Sequence, residues 1–156
     1  MAKEACNIWL MIASDRADTF RWEDIMDGSS VRWNMRNVYR NFKHAQKGDM
    51  ILCYRGGSVH NALVGMAEVA EEFFEERIIV RGVRAFAKEI PYDDYKNTRE
   101  YKATQAGKMR NRGTLFTVTN EFVYWVIQRL LKDGDVESAA ILQSKRGTYN
   151  DIQDGC

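Results

Sequence analysis

The chain has 156 residues, of which 45% are hydrophobic and 12% aromatic, and this is enough for the core of one domain. Basic residues outnumber acidic ones by only 23 to 22, so the whole-chain charge does not indicate a nucleic-acid-binding protein and any basic surface must be local. The three cysteines, Cys6, Cys53 and Cys156, are widely spaced without a C-x-x-C pair, which excludes a disulfide framework of the secreted type and favours reduced thiols.

The first half of the chain predicts strands and helices in alternation. Residues 7–13 form a continuous apolar run typical of a strand covered on both faces. The run is too short for a signal segment or a membrane span, so a soluble, cytoplasmic protein without a membrane partner is expected. Asp18 and Thr19 are suited to cap a short amphipathic helix that ends at Gly28. Three elements follow: a short strand at residues 31–33, a helix at residues 36–46 and a strand at residues 50–54.

The second half predicts strands at residues 62–69, 77–86 and 115–118. Residues 98–111 are polar and basic and predict a loop, and Thr119 is suited to cap a final helix that ends before Gly134. The pattern predicts an α+β fold: a small, strongly curved β-barrel of five to six strands with flanking helices. Because little pattern follows the last helix, we expect one domain at residues 1–133 and a C-terminal extension or linker at residues 134–156.

The sequence contains no constellation typical of catalysis. His44 and His60 lie outside any metal-ligand spacing, and no nucleophile elbow, Walker loop or dinucleotide fingerprint is present. The glutamates of residues 68–76 are interpreted as a solvated strand end or turn. We therefore predict no enzyme, no metal and no cofactor.

Basic and aromatic residues are mixed in two stretches. The first contains Arg32, Arg36, Arg40, Lys43, Lys47 and Arg55 with Trp33, Tyr39, Phe42 and Tyr54, and the second contains Lys102, Lys108, Arg110 and Arg112. Cationic groups can hold phosphates while aromatic faces stack on bases. A solvated helix face with core aromatics explains the same residues, and composition alone favours that interpretation.

Five motifs in order resemble those of the EVE domain family. They are residues 8–11 (Ile-Trp-Leu-Met) followed by 18–20 (Asp-Thr-Phe), Trp33 with Arg36-Asn37 and Arg40-Asn41, residues 47–49 (Lys-Gly-Asp), residues 64–69 (Val-Gly-Met-Ala-Glu-Val), and residues 113–118 (Gly-Thr-Leu-Phe-Thr-Val). The resemblance spans residues 7 to about 132. Residues 12–17 depart from the Lys-Ser-Glu-Pro that usually follows the first motif, and Asn34-Met35 replaces a Gly-Val pair.

The resemblance implies a PUA-like barrel, similar to that of YTH domains, in which a modified base is flipped into an aromatic pocket. The residues it assigns to this pocket are Trp33, Asn34, Ser14, Asp15, Tyr54 and Phe73. The residues it assigns to the phosphates or the pocket rim are Arg36, Asn37, Arg55, Lys108, Arg110 and Arg112. A core position is the alternative for Trp33, where the adjacent Arg36-Asn37 match favours the pocket, and it explains Tyr54 equally well; turn chemistry explains Ser14 and Asp15.

Three functions remain open from the sequence. The resemblance favours a monomeric DNA-targeting module of a modification-dependent restriction system, with a fused or partner nuclease. An RNA reader of the YTH type is the second, because single-stranded RNA spares the cost of unpairing. A small-metabolite-binding or enzymatic barrel is the third, and the missing catalytic groups disfavour catalysis.

Overall fold

The computed structural model describes residues 4–14, 20–34, 40–57 and 59–146. Six strands lie in this part of the chain: β1 Glu4–Ser14, β2 Ser30–Asn34, β3 Met50–Gly56, β4 Ala62–Phe74, β5 Arg77–Pro91 and β6 Leu115–Thr119. The helices described are α1 Arg40–His44, α2 Tyr92–Tyr95, α3 Arg99–Lys102, α4 Gln105–Lys108, α5 Asn120–Lys132 and α6 Val136–Arg146, with a 3₁₀ helix at Trp22–Ile25.

The strands form one mixed sheet in the order β2-β5-β4-β3-β1-β6. Strands β1 and β3 are parallel, with Ile8 opposite Met50, and the other neighbours are antiparallel. Alternate side chains of β1 enter two separate cores: Ile8 and Leu10 lie in one, and Trp9 and Met11 in the other. The prediction of a first strand covered on both faces is therefore confirmed.

The two faces of the sheet are packed by different elements. One face, called here the helical face, lies under α5 and α6 and contains Leu10, Leu52 and Tyr95. The other, called here the cleft face, contains Met11, Ile51 and the 3₁₀ residue Trp22. The 3₁₀ helix lies directly on β5, because a Cβ atom at Gly82 would meet the carbonyl oxygen of Ile25 at 1.9 Å.

The hairpin of β4 and β5 is longer than the sequence predicted. Its strands run to Phe74 and from Arg77, and Glu75 and Glu76 form the two-residue turn with φ angles of 50° and 61°. Such a turn needs positive φ at both positions, for which Asn-Gly is the usual signal. Since glutamates occupy both positions, the signal was missing, and the predicted strand at residues 62–69 was wrong in its end, which lies five residues later at Phe74.

The predicted loop at residues 98–111 was also wrong, because it contains the short helices α3 and α4. The hydroxyl of Thr98 accepts a hydrogen bond from the Tyr101 N–H at 3.2 Å, and the hydroxyl of Thr104 accepts one from the Gly107 N–H at 2.7 Å. Each threonine is an N-cap that stabilises a single turn. One-turn helices have too few residues to show a hydrophobic period, so the sequence pattern did not reveal them.

Helix α6 lies in the predicted C-terminal extension and packs against the same core as α5. Its Ala139 and Leu142 are buried on the helical face. Before it, the Asp135 carboxylate accepts hydrogen bonds from the Ser138 N–H at 3.1 Å and from the Ala87 N–H of β5 at 2.8 Å. Burial opposes ionisation of Asp135, but these hydrogen bonds bring its pKa below the ordinary value. The described part of the extension therefore shares the core of the domain.

Within the described ranges, none of the helices combines the length and apolar character needed to cross a bilayer.

Candidate functional site

A cleft of about 400 Å³ opens between strand β2 and the end of strand β1. Its lining residues are Ile12, Ala13, Ser14, Phe20, Val31, Arg32, Trp33, Asn34 and Thr114. Strand β2 is at one edge of the sheet, whereas β1 is four places along it. The sheet must therefore curl until its first strand approaches the end of β1, as in a barrel-like fold.

Two aromatic residues of the cleft lining, Phe20 and Trp33, pack with the buried Trp22, and these three side chains are called here the tryptophan cluster. Trp22 and Trp33 are stacked with ring centroids 5.6 Å apart, and Phe20 contacts Trp33 edge-to-face at 5.3 Å. Trp22 is buried, and its indole N–H donates to the Tyr54 carbonyl oxygen at 3.0 Å. Trp33 is only half-buried. One side of Trp33 is thus supported by a fixed ring, while the residue also lines open space.

The predicted pocket residues of β2 differ in which way they point. Burial alternates along the strand, with Val31 and Trp33 half-buried and Arg32 and Asn34 exposed. The Arg32 Nε donates to the Asn34 Oδ1 at 2.9 Å on the outer side. Asn34 therefore lines the cleft, but its side chain leaves the strand on the face opposite to that of Trp33.

The structure brings Trp33, Asn34 and the exposed Ser14 to one cleft. Asp15, Arg36 and Asn37, which the sequence also assigned to the site, lie outside the described residues.

Tyr54 does not line the cleft. Its side chain is 3% exposed and lies on the helical face, with its ring 5.8 Å from that of Tyr92. The alternation of side chains along β3 explains this, because Cys53 occupies the cleft face at the preceding position. Burial raises the pKa of the Tyr54 hydroxyl.

Phe73 is likewise separate from the cleft. It lies on β4, half-buried on the cleft face, with the Lys43 Nζ 5.9 Å from its ring centroid. Strand β5 lies between β4 and β2, so Phe73 is two strand spacings, about 10 Å, from β2. A second cage wall at this position is not supported.

Arg55 lies in a different cavity of about 550 Å³, where β3 ends. Its guanidinium group forms a two-pronged pair with the Glu89 carboxylate at 2.6 and 2.7 Å, and it also donates to the His60 carbonyl oxygen at 2.6 Å. The hydrogen bond from Arg55 lowers the pKa of Glu89. Since Arg55 is neutralised by a carboxylate, its predicted contact with phosphate is not supported.

The basic residues Lys108, Arg110 and Arg112 are exposed around the turn that follows α4. Arg110 and Asn111 have φ angles of 51° and 56°, a left-handed conformation that is uncommon outside glycine. The buried Tyr101 hydroxyl holds this turn by donating to the Asn111 Oδ1 at 2.6 Å.

This basic turn leads directly to the cleft. Thr114, two residues after Arg112, lines it, and the Thr114 carbonyl oxygen accepts a hydrogen bond from the Ile12 N–H at 2.8 Å. The basic turn therefore ends at the edge of the cleft.

Six lining residues were not in the predicted site: Ile12, Ala13, Phe20, Val31, Arg32 and Thr114. Phe20 belongs to the Asp-Thr-Phe motif and Arg32 to the first basic stretch, so both carried a signal in the sequence. Thr114 carried none beyond its place in the last motif, because it reaches the cleft only through the pairing of β6 with β1.

Other motif residues stabilise the fold. The buried Asn41 amide donates to the Leu115 carbonyl oxygen at 2.7 Å and to Gln105 Oε1 at 2.8 Å, which ties α1 to β6 and α4. The Trp9 indole N–H donates to the buried Asp49 carboxylate at 2.9 Å. Asn41 of the second Arg-Asn motif and Asp49 of the Gly-Asp motif therefore have structural roles that require no ligand.

No group of three or more histidine, cysteine, aspartate or glutamate side chains in the described ranges is placed to hold a metal ion.

The EVE domain model matches residues 7–129. The chain belongs to the EVE domain family.

Solved structures with the same fold include a hypothetical protein from Leishmania major (TM-score 0.72, 14% identity, covering 82% of this chain and 96% of that one) and a Pseudomonas putida protein (TM-score 0.67, 17% identity, 79% and 98%). Human THYN1 in complex with DNA containing 5-methylcytosine is also similar (TM-score 0.66, 14% identity, 79% and 96%). No curated protein sequence matches the chain. The predicted family and the curved, PUA-like α+β fold are confirmed.

Proposed function

We propose that this EVE domain is a non-enzymatic reader of a modified base in nucleic acid, with DNA favoured over RNA. The cleft between β2 and β1 would receive the base after it has been flipped out of its stack. The observation that carries this proposal is the half-buried Trp33, stacked on the fixed Trp22 and open to the cleft.

Energetics support an aromatic floor for such a cleft. Extruding a base from a duplex costs a few kcal/mol, which the pocket must return through stacking and hydrogen bonds. One stack on an aromatic ring is worth roughly 1–3 kcal/mol. Trp33 is already supported by Trp22 and Phe20, so little ordering is needed when a base arrives.

Charge supports a polynucleotide over a free base. Lys108, Arg110 and Arg112 project around the turn that leads to Thr114 in the cleft wall. Exposed cations beside a pocket hold the phosphates on either side of a flipped nucleotide, and such contacts position without specifying sequence. The human THYN1 structure in complex with DNA containing 5-methylcytosine supports DNA as the polymer.

The test is a titration of the full chain by fluorescence anisotropy with matched oligonucleotides. They carry cytosine or 5-methylcytosine in duplex DNA, single-stranded DNA and RNA. Burial of one methyl group is worth about 0.8 kcal/mol, so we expect a preference of at least roughly fourfold for the modified duplex. A preference seen only in RNA would favour the RNA reader. Equal affinity for modified and plain oligonucleotides of every kind, tested with other base modifications as well, would refute a reader.

We also propose that the domain supplies DNA targeting to a modification-dependent restriction system and has no cleavage activity itself. The support is the family resemblance, together with a cleft whose lining includes the aromatic residues Phe20 and Trp33 and contains no catalytic constellation. The pure protein should leave modified DNA intact with Mg²⁺ and with a chelator. Metal-dependent cleavage that one point substitution abolishes would contradict this.

A further inference from the structure

One edge of strand β2 has no partner among the described strands, because β2 pairs with β5 on its other side. A strand edge presents main-chain N–H and C=O groups at alternate residues. Which residues present them depends on the hydrogen-bonding phase of the β2–β5 pair.

That phase is fixed by a hydrogen bond just before β2. The Gly82 N–H donates to the Ser29 carbonyl oxygen at 3.1 Å, so Ser29 and Gly82 are a hydrogen-bonded pair. In an antiparallel ladder such pairs recur at every second residue. Val31 and Trp33, which lie two and four residues further along, therefore bond to β5 as well.

The intervening residues, Arg32 and Asn34, are non-hydrogen-bonded with respect to β5. Their main-chain N–H and C=O groups point away from β5, toward the unpaired edge. The same phase applies to Ser30, which lies on this edge but outside the cleft lining.

The unpaired edge forms one wall of the cleft. Four consecutive residues of β2, from Val31 to Asn34, line it. Side chains of consecutive strand residues leave on opposite faces, so side chains of one face alone cannot account for this lining. The main chain of the strand itself must border the space, with Ala13 and Ser14 of β1 on the far side.

From this placement we infer that the main-chain N–H and C=O groups of Arg32 and Asn34 read the hydrogen-bonding edge of the flipped base. The inference rests on the proposed function. A base that hydrogen-bonds to this edge and is tilted out of the plane of the sheet, toward the side of β2 that carries Trp33, can also stack on the Trp33 ring, because both line the same cleft. The strand edge offers donors and acceptors in alternation, which fits a base with an acceptor beside a donor.

This geometry favours one class of modified base. Cytosine presents the N3 acceptor beside the N4 amino donor on its Watson–Crick edge, and a substituent at C5 leaves both intact. We therefore assign to the cleft bases whose modification lies away from the Watson–Crick edge, and we assign the reading of that edge to the protein backbone.

Hydrogen exchange of single amides, followed by NMR, tests the inference. In the free protein the Val31 and Trp33 amides should be protected and those of Arg32 and Asn34 should exchange rapidly. Saturation with a 5-methylcytosine oligonucleotide should slow the Arg32 and Asn34 amides by about tenfold or more. Ser30 is the matched control on the same edge, and its exchange should not change.

Two results would overturn the inference in distinguishable ways. If the oligonucleotide binds by anisotropy but leaves the Arg32 and Asn34 amides unaltered, the backbone reading is wrong and the proposed function stands. If no modified oligonucleotide binds at all, both fail.

A proline substitution provides a second measurement. Asn34→Pro removes an edge N–H that β5 does not use, and strand prolines are tolerated at such positions. Compared with Asn34→Ala, which lacks the same side chain but retains the N–H, it should bind the modified oligonucleotide about tenfold more weakly at a similar Tm. Val31→Pro, which removes a ladder bond, should instead lower the Tm. Equal affinity of Asn34→Pro and Asn34→Ala would contradict a donor role for this amide.

Discussion

Two aromatic clusters lie on opposite faces of the same sheet, and they differ in what covers them. The tyrosine cluster of the helical face consists of Tyr54, Tyr92, Tyr95 and Tyr101, with ring centroids 5.0 to 5.8 Å apart. The tryptophan cluster of the cleft face has similar spacings, 5.3 to 5.6 Å. Helix α5 covers the first, where Tyr95 and Tyr101 contact Phe122. The second borders the cleft.

The difference shows that aromatic content alone does not locate a binding site. Tyr95 and Tyr101 are 0% and 1% exposed, and burial raises the pKa of both hydroxyls, so they remain neutral and structural. Trp33 has comparable ring contacts but is partly accessible. A supported ring beside open space is the feature that suits it to stack on a ligand.

The largest expected effect is on the stability of the tyrosine cluster. Tyr101→Ala removes a buried ring and should lower the free energy of unfolding by about 3–5 kcal/mol, the usual cost of such a cavity. Chemical denaturation measures this change. Tyr101→Phe is the control: it retains the ring but loses the hydrogen bond to Asn111, and it should cost about 1–2 kcal/mol. A mild Tyr101→Ala phenotype would show that the two clusters do not differ as described.

The next largest effect is expected on binding at the tryptophan cluster. Trp33→Ala should weaken binding of a modified oligonucleotide by roughly 1–3 kcal/mol, because one base–aromatic stack is lost. Its destabilisation should be clearly smaller than that of Tyr101→Ala, since Trp33 is only half-buried. Thermal melting beside anisotropy titration measures both quantities, and Trp33→Phe should recover part of the affinity. A fall in Tm as large as that of Tyr101→Ala would make Trp33 a core residue and refute the comparison.

A smaller effect is expected at the basic turn beside the cleft. Arg110→Gln and Arg112→Gln should each weaken modified and plain oligonucleotides alike and reduce the slope of log K against log salt by about one. Their affinity ratio for modified over plain DNA should stay constant. Lys132→Gln, an exposed cation at the end of α5, is the control and should leave the slope unchanged. A changed ratio at constant slope would place these arginines at the base.

The sequence predicted the parts of this comparison that depend on local pattern. The apolar run of residues 7–13 and the motif containing Trp33 were sufficient for a central strand and for one wall of the cleft. Tyr54 could not be placed, because residues 50–54 are apolar throughout and such a strand does not reveal which side chains face which core. Phe20 and Thr114 reach the cleft only after the sheet curls, and curvature is not encoded in any short segment.

The smallest effect concerns Arg55, which the sequence assigned to phosphate and the structure pairs with Glu89. Arg55→Gln should change oligonucleotide affinity by less than about twofold and leave the salt slope unaltered, since a cation already paired releases few counterions. Stability should fall by at most about 1 kcal/mol, because Glu89 is half-exposed and such pairs are weak.

Arg55 lowers the pKa of Glu89 in the folded protein, so the contribution of the pair to stability is present above the ordinary glutamate pKa and is lost as pH falls through the lowered pKa. In Arg55→Gln the Glu89 pKa should therefore rise toward its usual value, which an NMR titration of the carboxyl carbon measures. A salt slope reduced as in Arg110→Gln would show instead that Arg55 leaves Glu89 for a phosphate, and the basic surface would then extend to the cavity at the end of β3.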